Sequence, residues 1–178
     1  MRLEDEAVLL RPFEQGDVRA IVAACQDPEI PRWTSVPSPY TESDALVWLE
    51  STEEETFAVV NRSSGELLGS IGVRFLSDGV AEVGYWTAKE ARGQGVATRA
   101  LALVAAWIFE NAEVARFQLR ADTENVASQR VAEKAGFVRE GVLRAALDLQ
   151  GERRDVVMYS LVRKDFSGPP RATTHFRA

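Results

Sequence analysis

Three strand-like segments follow one another between residues 56 and 87 with only short turns between them. Residues 56–62, 67–76 and 80–87 have the composition of β-strands, and Gly65 and Gly79 lie in the two connecting turns. Connections this short join neighbouring antiparallel strands, because a parallel crossover needs a dozen or more residues. The middle of the chain therefore predicts three antiparallel strands of one sheet.

Hydrophobic spacing in the rest of the chain changes repeatedly between helical and strand-like periods. Helical spacing begins after Asp17 and after Thr41, and it recurs over residues 96–111 and 125–135. Thr41 resembles a capping residue, because Asp44 follows three positions later. Strand-like runs occupy residues 8–13, 116–121, 137–149 and 155–162, whereas the proline-rich stretch 27–39 predicts an irregular loop. The predicted order is β–α–α–β–β–β–α–β–α–β–β, a single mixed α/β domain over residues 1–166 with a disordered tail over 167–178.

Composition narrows the classes of protein to which the chain can belong. Its 178 residues carry 21 basic and 27 acidic side chains, a net charge of −6, which argues against nucleic acid or an anionic membrane as a partner. No apolar run is long enough for a membrane span, and the N-terminus lacks a signal-peptide core, so a cytoplasmic protein is expected. Cys25 and His175 are the only cysteine and histidine, so we expect no disulfide, no metal site and no histidine-based triad.

A glycine-rich turn between a predicted strand and a predicted helix is the strongest candidate binding feature. Residues 92–97 read RGQGVA, in which two glycines allow the backbone to approach a ligand closely. The first amides of the following helix have no intrahelical partner and suit a phosphate. Neither the lysine of a Walker motif nor the third glycine of a dinucleotide fingerprint is present. A strand-to-helix turn without a ligand explains the pattern equally well when it is taken alone.

Asn125 and Ser128 lie three residues apart at the start of the last predicted helix, so they share a helix face. By themselves they are explained as an N-cap and a polar first-turn residue. Their occurrence after the glycine turn, in this order, is more informative. Together, residues 92–97, Asn125-x-x-Ser128 and the later Glu133-Lys134-x-Gly136-Phe137 resemble the GNAT family of N-acetyltransferases.

The resemblance extends to the RimJ/RimL branch of that family, which acetylates the N-termini of ribosomal proteins. Residues 10–13 (LRPF), 84–86 (GYW) and 155–161 (DVVMYSL) carry it, and it covers roughly residues 8–166. It implies a mostly antiparallel sheet that splays open at its central strands and is flanked by helices. It also implies that acetyl-CoA occupies the gap.

The resemblance assigns expected contacts with acetyl-CoA. The pyrophosphate would lie on the backbone amides of Arg92, Gly93, Gln94, Gly95, Val96 and Ala97. The pantetheine arm would run beside the backbone of Tyr85, Trp86 and Thr87. An amide near Tyr85 or Trp86 would stabilise the oxyanion. Asn125 would position the pantetheine arm or Ser128.

The resemblance gives a less complete account of proton transfer. Many relatives place a tyrosine seven residues after the asparagine as the acid, but Ala132 occupies that position here. Ser128 takes the role in RimL-like members, so we expect it to relay a proton or hydrogen-bond the sulfur. Glu82 is the expected base, because acidic residues of this strand act as bases in some relatives. Three alternatives remain. Glu82 could serve only as a salt-bridge partner, Asp148 or Asp155 could be the base, or the amine could lose its proton to a chain of water molecules.

Trp33 and Tyr40 lie in the stretch that borders the acceptor site in this family, although core packing explains each of them as well. The resemblance implies transfer of acetyl to a primary amine, first of all the N-terminal α-amine of a ribosomal or other protein. A small-molecule acetyltransferase acting on an aminoglycoside, a polyamine or a metabolite is the alternative within enzymes. A non-catalytic acyl-CoA-binding module is the alternative outside them. Both a monomer and a homodimer are compatible with the sequence.

Overall fold

The computed structural model describes residues 2–50 and 55–166. In this part of the chain, eight strands form one sheet in the order β1-β2-β3-β4-β5-β6-β8-β7, and every neighbouring pair is antiparallel except β5 and β6. The strands are β1 (Leu3–Glu4), β2 (Val8–Arg11), β3 (Glu55–Asn61), β4 (Leu67–Phe75), β5 (Val80–Thr87), β6 (Arg116–Asp122), β7 (Val138–Leu149) and β8 (Glu152–Val162). The helices are α1 (Val18–Cys25), α2 (Glu29–Trp33), α3 (Glu42–Glu50), α4 (Val96–Asn111) and α5 (Val126–Lys134).

The two central strands pair over only a short distance. β5 and β6 pair at Val80 with Arg116 and end at Glu82 with Gln118. Beyond this point β5 continues along β4 as far as Thr87, whereas β6 continues along β8. The sheet therefore splays open, as expected, and after Glu82 no strand formed by the described residues lies beside one backbone edge of β5.

Helices cover both faces of the sheet. The larger core packs α4 and α5 against β5, β6 and β8, and contains Leu101, Val104, Ile108, Phe117 and Tyr159. A second core packs α1, α2 and α3 on the opposite face, around Ile21, Cys25, Ile30, Tyr40 and Ala45. Side chains alternate along β5, so that Tyr85 packs against the first core and Trp86 against the second. Neighbouring residues of one strand thus face two different compartments.

The structure differs from the sequence expectations at three places. Residues 29–33, expected as part of an irregular loop, form the short helix α2. Pro31 is its third residue, where a backbone N–H would have no intrahelical partner, so the proline is tolerated. A two-residue strand, β1, precedes the predicted first strand, and β8 begins at Glu152 rather than at 155. The predicted tail 167–178 lies outside the described residues.

Capping at the start of α3 follows the sequence expectation. The Asp44 carboxylate accepts from the Thr41 backbone N–H at 2.8 Å, and the Thr41 hydroxyl accepts from the Asp44 N–H at 3.2 Å.

Within residues 2–50 and 55–166, no helix combines the length and apolar character required to cross a bilayer.

Candidate active site

One continuous cleft of about 970 Å³ passes through the gap between β5 and β6. On one side it is lined by the glycine turn, the start of α4 and one face of α5. On the other side it is lined by α2, α3 and the end of β7. Because the cleft crosses the sheet, a ligand bound on one face can react with a group that enters from the other.

The glycine turn has the backbone conformation that a phosphate site requires. Gly93 and Gly95 have φ of +76° and +80°, and a Cβ at either position would project into open space. Gly95 is the N-cap of α4, so the N–H groups of the first turn of the helix have no intrahelical partner. Residues 95–98 line the cleft. Gln94 is the exception among the predicted residues of the turn, because it lies outside the lining and its side chain donates to the Glu90 carbonyl at 2.7 Å.

The Arg92 side chain holds the glycine turn against two other segments. Its Nε donates to the Thr87 carbonyl at 3.1 Å, and its Nη2 lies 2.6 Å from a carboxylate oxygen of Asp27. Asp27 follows α1 and leads into α2. The first residue of the turn is thus connected both to the end of β5 and to the segment on the other side of the cleft.

Asn125 and Ser128 are brought together as their spacing predicts. Asn125 is the N-cap of α5, and its Oδ1 accepts from the Ser128 N–H at 3.0 Å. Both residues line the cleft. The Ser128 hydroxyl lies 2.9 Å from the hydroxyl of Tyr85 on β5. Burial raises the pKa of the Tyr85 phenol to about 12, although its hydrogen bond with Ser128 acts in the opposite direction.

Glu82 lies in the cleft at the point where β5 and β6 separate. One carboxylate oxygen accepts from Arg120 at 2.5 Å and the other accepts from Gln118 at 2.9 Å. The carboxylate is therefore already paired, as the salt-bridge alternative for this residue anticipated. Each oxygen keeps a second lone pair, so Glu82 can still accept from a bound amine.

The predicted acceptor residues lie on the α1–α3 side of the cleft. Trp33 is half-buried, donates from Nε1 to Glu29 at 3.2 Å and stacks under the Arg32 guanidinium. Tyr40 is only 7% exposed and belongs to the second core, where burial raises the pKa of its phenol to about 12. Both residues line the cleft. Gln150, in the turn between β7 and β8, donates to the Pro31 carbonyl at 3.0 Å and connects this turn to α2.

The two alternative bases occupy different positions. Asp148 lines the cleft, but one of its oxygens accepts from the Gly151 N–H at 3.0 Å in the β7–β8 turn. Asp155 lies outside the cleft lining and accepts from the Ala145 N–H at 2.8 Å. Each carboxylate is therefore used in shaping the last hairpin. Within the described part of the chain, no group of three or more His, Cys, Asp or Glu side chains is arranged to hold a metal ion.

The sequence profile of the acetyltransferase (GNAT) domain matches residues 7–138. The chain belongs to the GNAT acetyltransferase family. Membership confirms the family named from the sequence motifs and the expected class of enzyme, an acetyl-CoA-dependent acetyltransferase. It also agrees with the observed sheet, because the β5–β6 gap lies where the GNAT resemblance predicted an opening.

Named relatives share part of this sequence, and solved structures share its fold. YdaF of Bacillus subtilis (strain 168), a candidate ribosomal N-acetyltransferase by its name, is 37% identical over 106 residues, a match that spans 58% of each chain. A GNAT acetyltransferase from Bacillus anthracis has the same fold, with a TM-score of 0.84 and 23% identity over 92% of this chain and 99% of that one. The self-immunity acetyltransferase MccE, solved with acetyl-CoA and AMP, has a TM-score of 0.80 and 19% identity over 89% of this chain and 93% of its own.

Within this GNAT domain, the structure adds cleft residues that the sequence motifs did not reveal. Thr98, Arg130 and Lys134 line the cleft beside the glycine turn and Asn125. The two basic residues lie four positions apart on α5, so they share a face, and this spacing is a signal that the sequence does contain. The Tyr85 hydroxyl was also missed, because the motif suggested a role only for the backbone of that residue.

Proposed function

We propose that this protein transfers the acetyl group of acetyl-CoA to the N-terminal α-amine of a protein or peptide. The observation that carries the proposal is the continuous cleft that joins the glycine turn on one face of the sheet to the part lined by α2, α3 and the end of β7 on the other. A cofactor and an acceptor that enter from opposite faces would meet in the gap between β5 and β6. Family membership supports the reaction type, and the acceptor is our inference.

The charge of the glycine-turn side of the cleft favours a polyanionic cofactor. The chain as a whole carries a net charge of −6, yet Arg130 and Lys134 line this part of the cleft. Neither side chain has an ion-pair or hydrogen-bond partner among the described residues. The free amides at the start of α4 add the positive end of a helix dipole. We assign the pyrophosphate to the amides of residues 92–97 and the remaining phosphate charge to the two basic residues of α5.

The open edge of β5 favours an extended amide-containing chain. After Glu82 the backbone N–H and C=O groups on the β6 side of the strand have no strand partner in the part of the chain that the structure describes. The pantetheine arm carries two amides and can pair with this edge as an added strand would. This arrangement would leave the thioester near the backbone of Tyr85 and Trp86, where an N–H group can stabilise the oxyanion.

The reaction forms one bond and breaks one bond. The neutral amine attacks the thioester carbonyl carbon, a C–N bond forms, and the C–S bond then breaks with its electron pair on sulfur. The nitrogen loses one proton and the sulfur gains one overall. We assign Ser128 to hydrogen-bond the departing sulfur, and Glu82 to accept from the incoming amine and to pass its proton to water.

An α-amine suits this site better than a lysine side chain. Because its pKa is about 7.7–8.0, roughly a fifth to a third of an α-amine is neutral at pH 7.4, against about 0.1% of a lysine amine. Glu82 is already paired with Arg120 and Gln118, so a lysine ammonium group would have to compete with Arg120 for the carboxylate. The name of the relative YdaF points to the same class of acceptor.

Acetyl transfer to a panel of acceptors, followed by mass spectrometry, tests the proposal. The panel contains peptides that begin with Ser, Ala, Thr or Met, the same peptides with a blocked N-terminus and an internal lysine, a polyamine and an aminoglycoside. We expect acetyl on the free α-amine of at least one peptide and none on its blocked counterpart. Transfer only to the small amines would refute the protein acceptor. No transfer to any acceptor, with acetyl-CoA binding intact by calorimetry, would favour a non-catalytic binding module.

A further inference from the structure

We propose that Tyr85 is a positioning residue whose phenol O–H donates to the Ser128 hydroxyl oxygen and so directs the serine proton at the sulfur of CoA. The inference rests on the proposed function, because it assumes that the sulfur lies beside Ser128. It adds a role for a side chain on the central strand that neither the sequence motifs nor the GNAT profile assigns. It also addresses how a serine hydroxyl, a weak acid, can assist a leaving thiolate.

The distances favour the Ser128 hydroxyl over the Ser128 carbonyl oxygen as the partner of the Tyr85 hydroxyl. Either hydroxyl can be the donor at this distance, and we assign the Tyr85 phenol as the donor. The Tyr85 hydroxyl is 2.9 Å from Ser128 Oγ and 3.4 Å from the Ser128 carbonyl oxygen. Hydroxyl hydrogen bonds are strongest at 2.7–2.8 Å, so Oγ is the better acceptor of the single phenol proton. The Ser128 oxygen that accepts from Tyr85 then keeps its own proton free for another acceptor.

The protonation state of Tyr85 permits its phenol to be the donor of this hydrogen bond. Burial against the α4–α5 core raises the pKa of its phenol to about 12, so Tyr85 keeps its proton throughout the working range of an enzyme. It can therefore donate a hydrogen bond at any such pH, but it cannot supply its proton to a thiolate, which is the weaker base. The ionisable side chains that line this cleft from β5, β6 and α5 are Glu82, Arg120, Asp122, Arg130 and Lys134. None of them contributes to the shift at Tyr85.

The Tyr85–Ser128 pair takes the place of the tyrosine acid that many relatives carry at the position of Ala132. Ala132, at the position where many relatives carry a tyrosine, is fully buried and has no hydroxyl. In the proposed arrangement the C–S bond breaks while Ser128 Oγ–H donates a hydrogen bond to the departing sulfur. Tyr85 O–H simultaneously donates to Ser128 Oγ. Both hydroxyls keep their protons, and the proton lost by the amine reaches the sulfur through water.

Binding of the product CoA tests the inference without any acceptor. If the Tyr85–Ser128 pair stabilises the thiolate, bound CoA has a lower thiol pKa than free CoA, so its affinity rises with pH. Desulfo-CoA has no sulfur and corrects for every other group that titrates. For the wild type we expect the ratio of CoA affinity to desulfo-CoA affinity to rise about threefold to tenfold between pH 7 and pH 9.5, since one pKa unit corresponds to tenfold.

Three variants test which side chains cause the rise of this affinity ratio with pH. Tyr85→Phe and Ser128→Ala should both keep the affinity for desulfo-CoA and lose most of the rise in the ratio. Tyr159→Phe is the matched control, because it removes a phenol hydroxyl that donates to Glu133 on the same helix, α5, at 3.1 Å. It should retain the rise. A Tyr85→Phe protein with the full wild-type rise would overturn the inference, and so would a wild type with no rise.

A double-mutant cycle of Tyr85→Phe and Ser128→Ala, measured by steady-state kinetics with an acceptor from the panel, separates a positioning role of Tyr85 from a structural one. We expect Tyr85→Phe to lower kcat about fivefold to tenfold without raising the KM for acetyl-CoA, and to have no further effect once Ser128 is alanine. An equal loss in both backgrounds would show that Tyr85 acts independently of Ser128 and would refute the inference. If the wild type acetylates no acceptor, the proposed function fails, while the CoA binding ratio still decides the role of Tyr85.

Discussion

Arg92, which lines the cleft, and Asp27 form an ion pair, with 2.6 Å between Nη2 of Arg92 and a carboxylate oxygen of Asp27. The same guanidinium donates to the carbonyl of Thr87, the last residue of β5. Because Asp27 leads directly into α2, one side chain connects the cofactor side of the cleft with the segment that carries Trp33. The conformation of the glycine turn therefore depends on a residue from the acceptor side.

Removing this ion pair should weaken cofactor binding. In Asp27→Asn the carboxylate, which is only 12% exposed, becomes neutral while its shape is kept, so Arg92 loses its charged partner. We expect acetyl-CoA to bind about threefold to tenfold more weakly by calorimetry, with faster hydrogen exchange over residues 92–97. Glu90→Gln removes an acidic side chain next to the same turn and should change neither. Equal losses in the two variants would mean that net charge, and not the pairing with Arg92, sets the affinity.

The left-handed backbone of Gly95 gives a second prediction. Gly95→Val should destabilise the fold by about 1–2 kcal/mol, because a non-glycine residue is strained at φ of +80°. It should also abolish acetyl-CoA binding, since its side chain would project into the phosphate site. Gly65→Val carries the same kind of strain at φ of +74°, in the turn between β3 and β4, and also has open space around its Cβ. It should lower the melting temperature similarly and leave binding unchanged; binding by Gly95→Val within twofold of wild type would contradict the pyrophosphate assignment.

The elements of this fold were predictable where local signals are strong. The turns at Gly65 and Gly79 required antiparallel pairing of β3, β4 and β5, and Thr41 with Asp44 marked the start of α3. The helix α2 was not predictable in the same way. Its five residues are stabilised by burial of Ile30 against α1, and a proline in the segment masks the helical pattern. Tertiary packing decided the structure there.

In the candidate site, too, residues in local motifs were predictable, whereas contacts between distant segments were not. Residues 92–97, Asn125 and Ser128 could be found because their spacing is local and their order along the chain is fixed. The contact between Tyr85 and Ser128 spans 43 positions and depends on which face of β5 meets α5. The pairing of Glu82 with Arg120 depends likewise on the register between β5 and β6. Such contacts follow from the sheet as a whole, so a motif alone does not reveal them.

The basic face of α5 should contribute to affinity through charge. Replacing both Arg130 and Lys134 by alanine should weaken CoA binding about tenfold at low salt, and the loss should shrink in 0.5 M NaCl, where exposed charges are screened. Arg144→Ala is the control, because it removes an exposed positive charge from β7, outside the cleft lining. Its affinity should equal that of the wild type. A double variant with wild-type affinity at low salt would exclude these residues from the phosphate site.

Glu140 predicts a pH-dependent contribution to stability. Hydrogen bonds from Arg116 and Ser160 hold the pKa of its carboxyl at about 2, below the usual 4.5. A carboxyl with a lowered folded-state pKa stabilises the fold above pH 4.5, and this contribution is lost as the pH falls toward 2. In urea unfolding, the stability difference between wild type and Glu140→Gln should therefore narrow by about half or more between pH 6.5 and pH 3. Glu110→Gln, on the exposed side of α4, should show no such change.

Glu82 provides the sharpest test of the acceptor side. Its carboxylate, 13% exposed, lies where β5 and β6 separate and can still accept from an amine beside Arg120 and Gln118. Glu82→Gln should lower kcat/KM for a peptide acceptor by about tenfold or more, because an amide oxygen is a weaker acceptor and carries no charge for the incoming amine. The affinity for acetyl-CoA should stay within twofold of wild type. Asp148→Asn removes a negative charge from the same cleft, and steady-state kinetics should show a smaller loss; an equal or larger loss would move the amine contact from Glu82 to the β7–β8 hairpin.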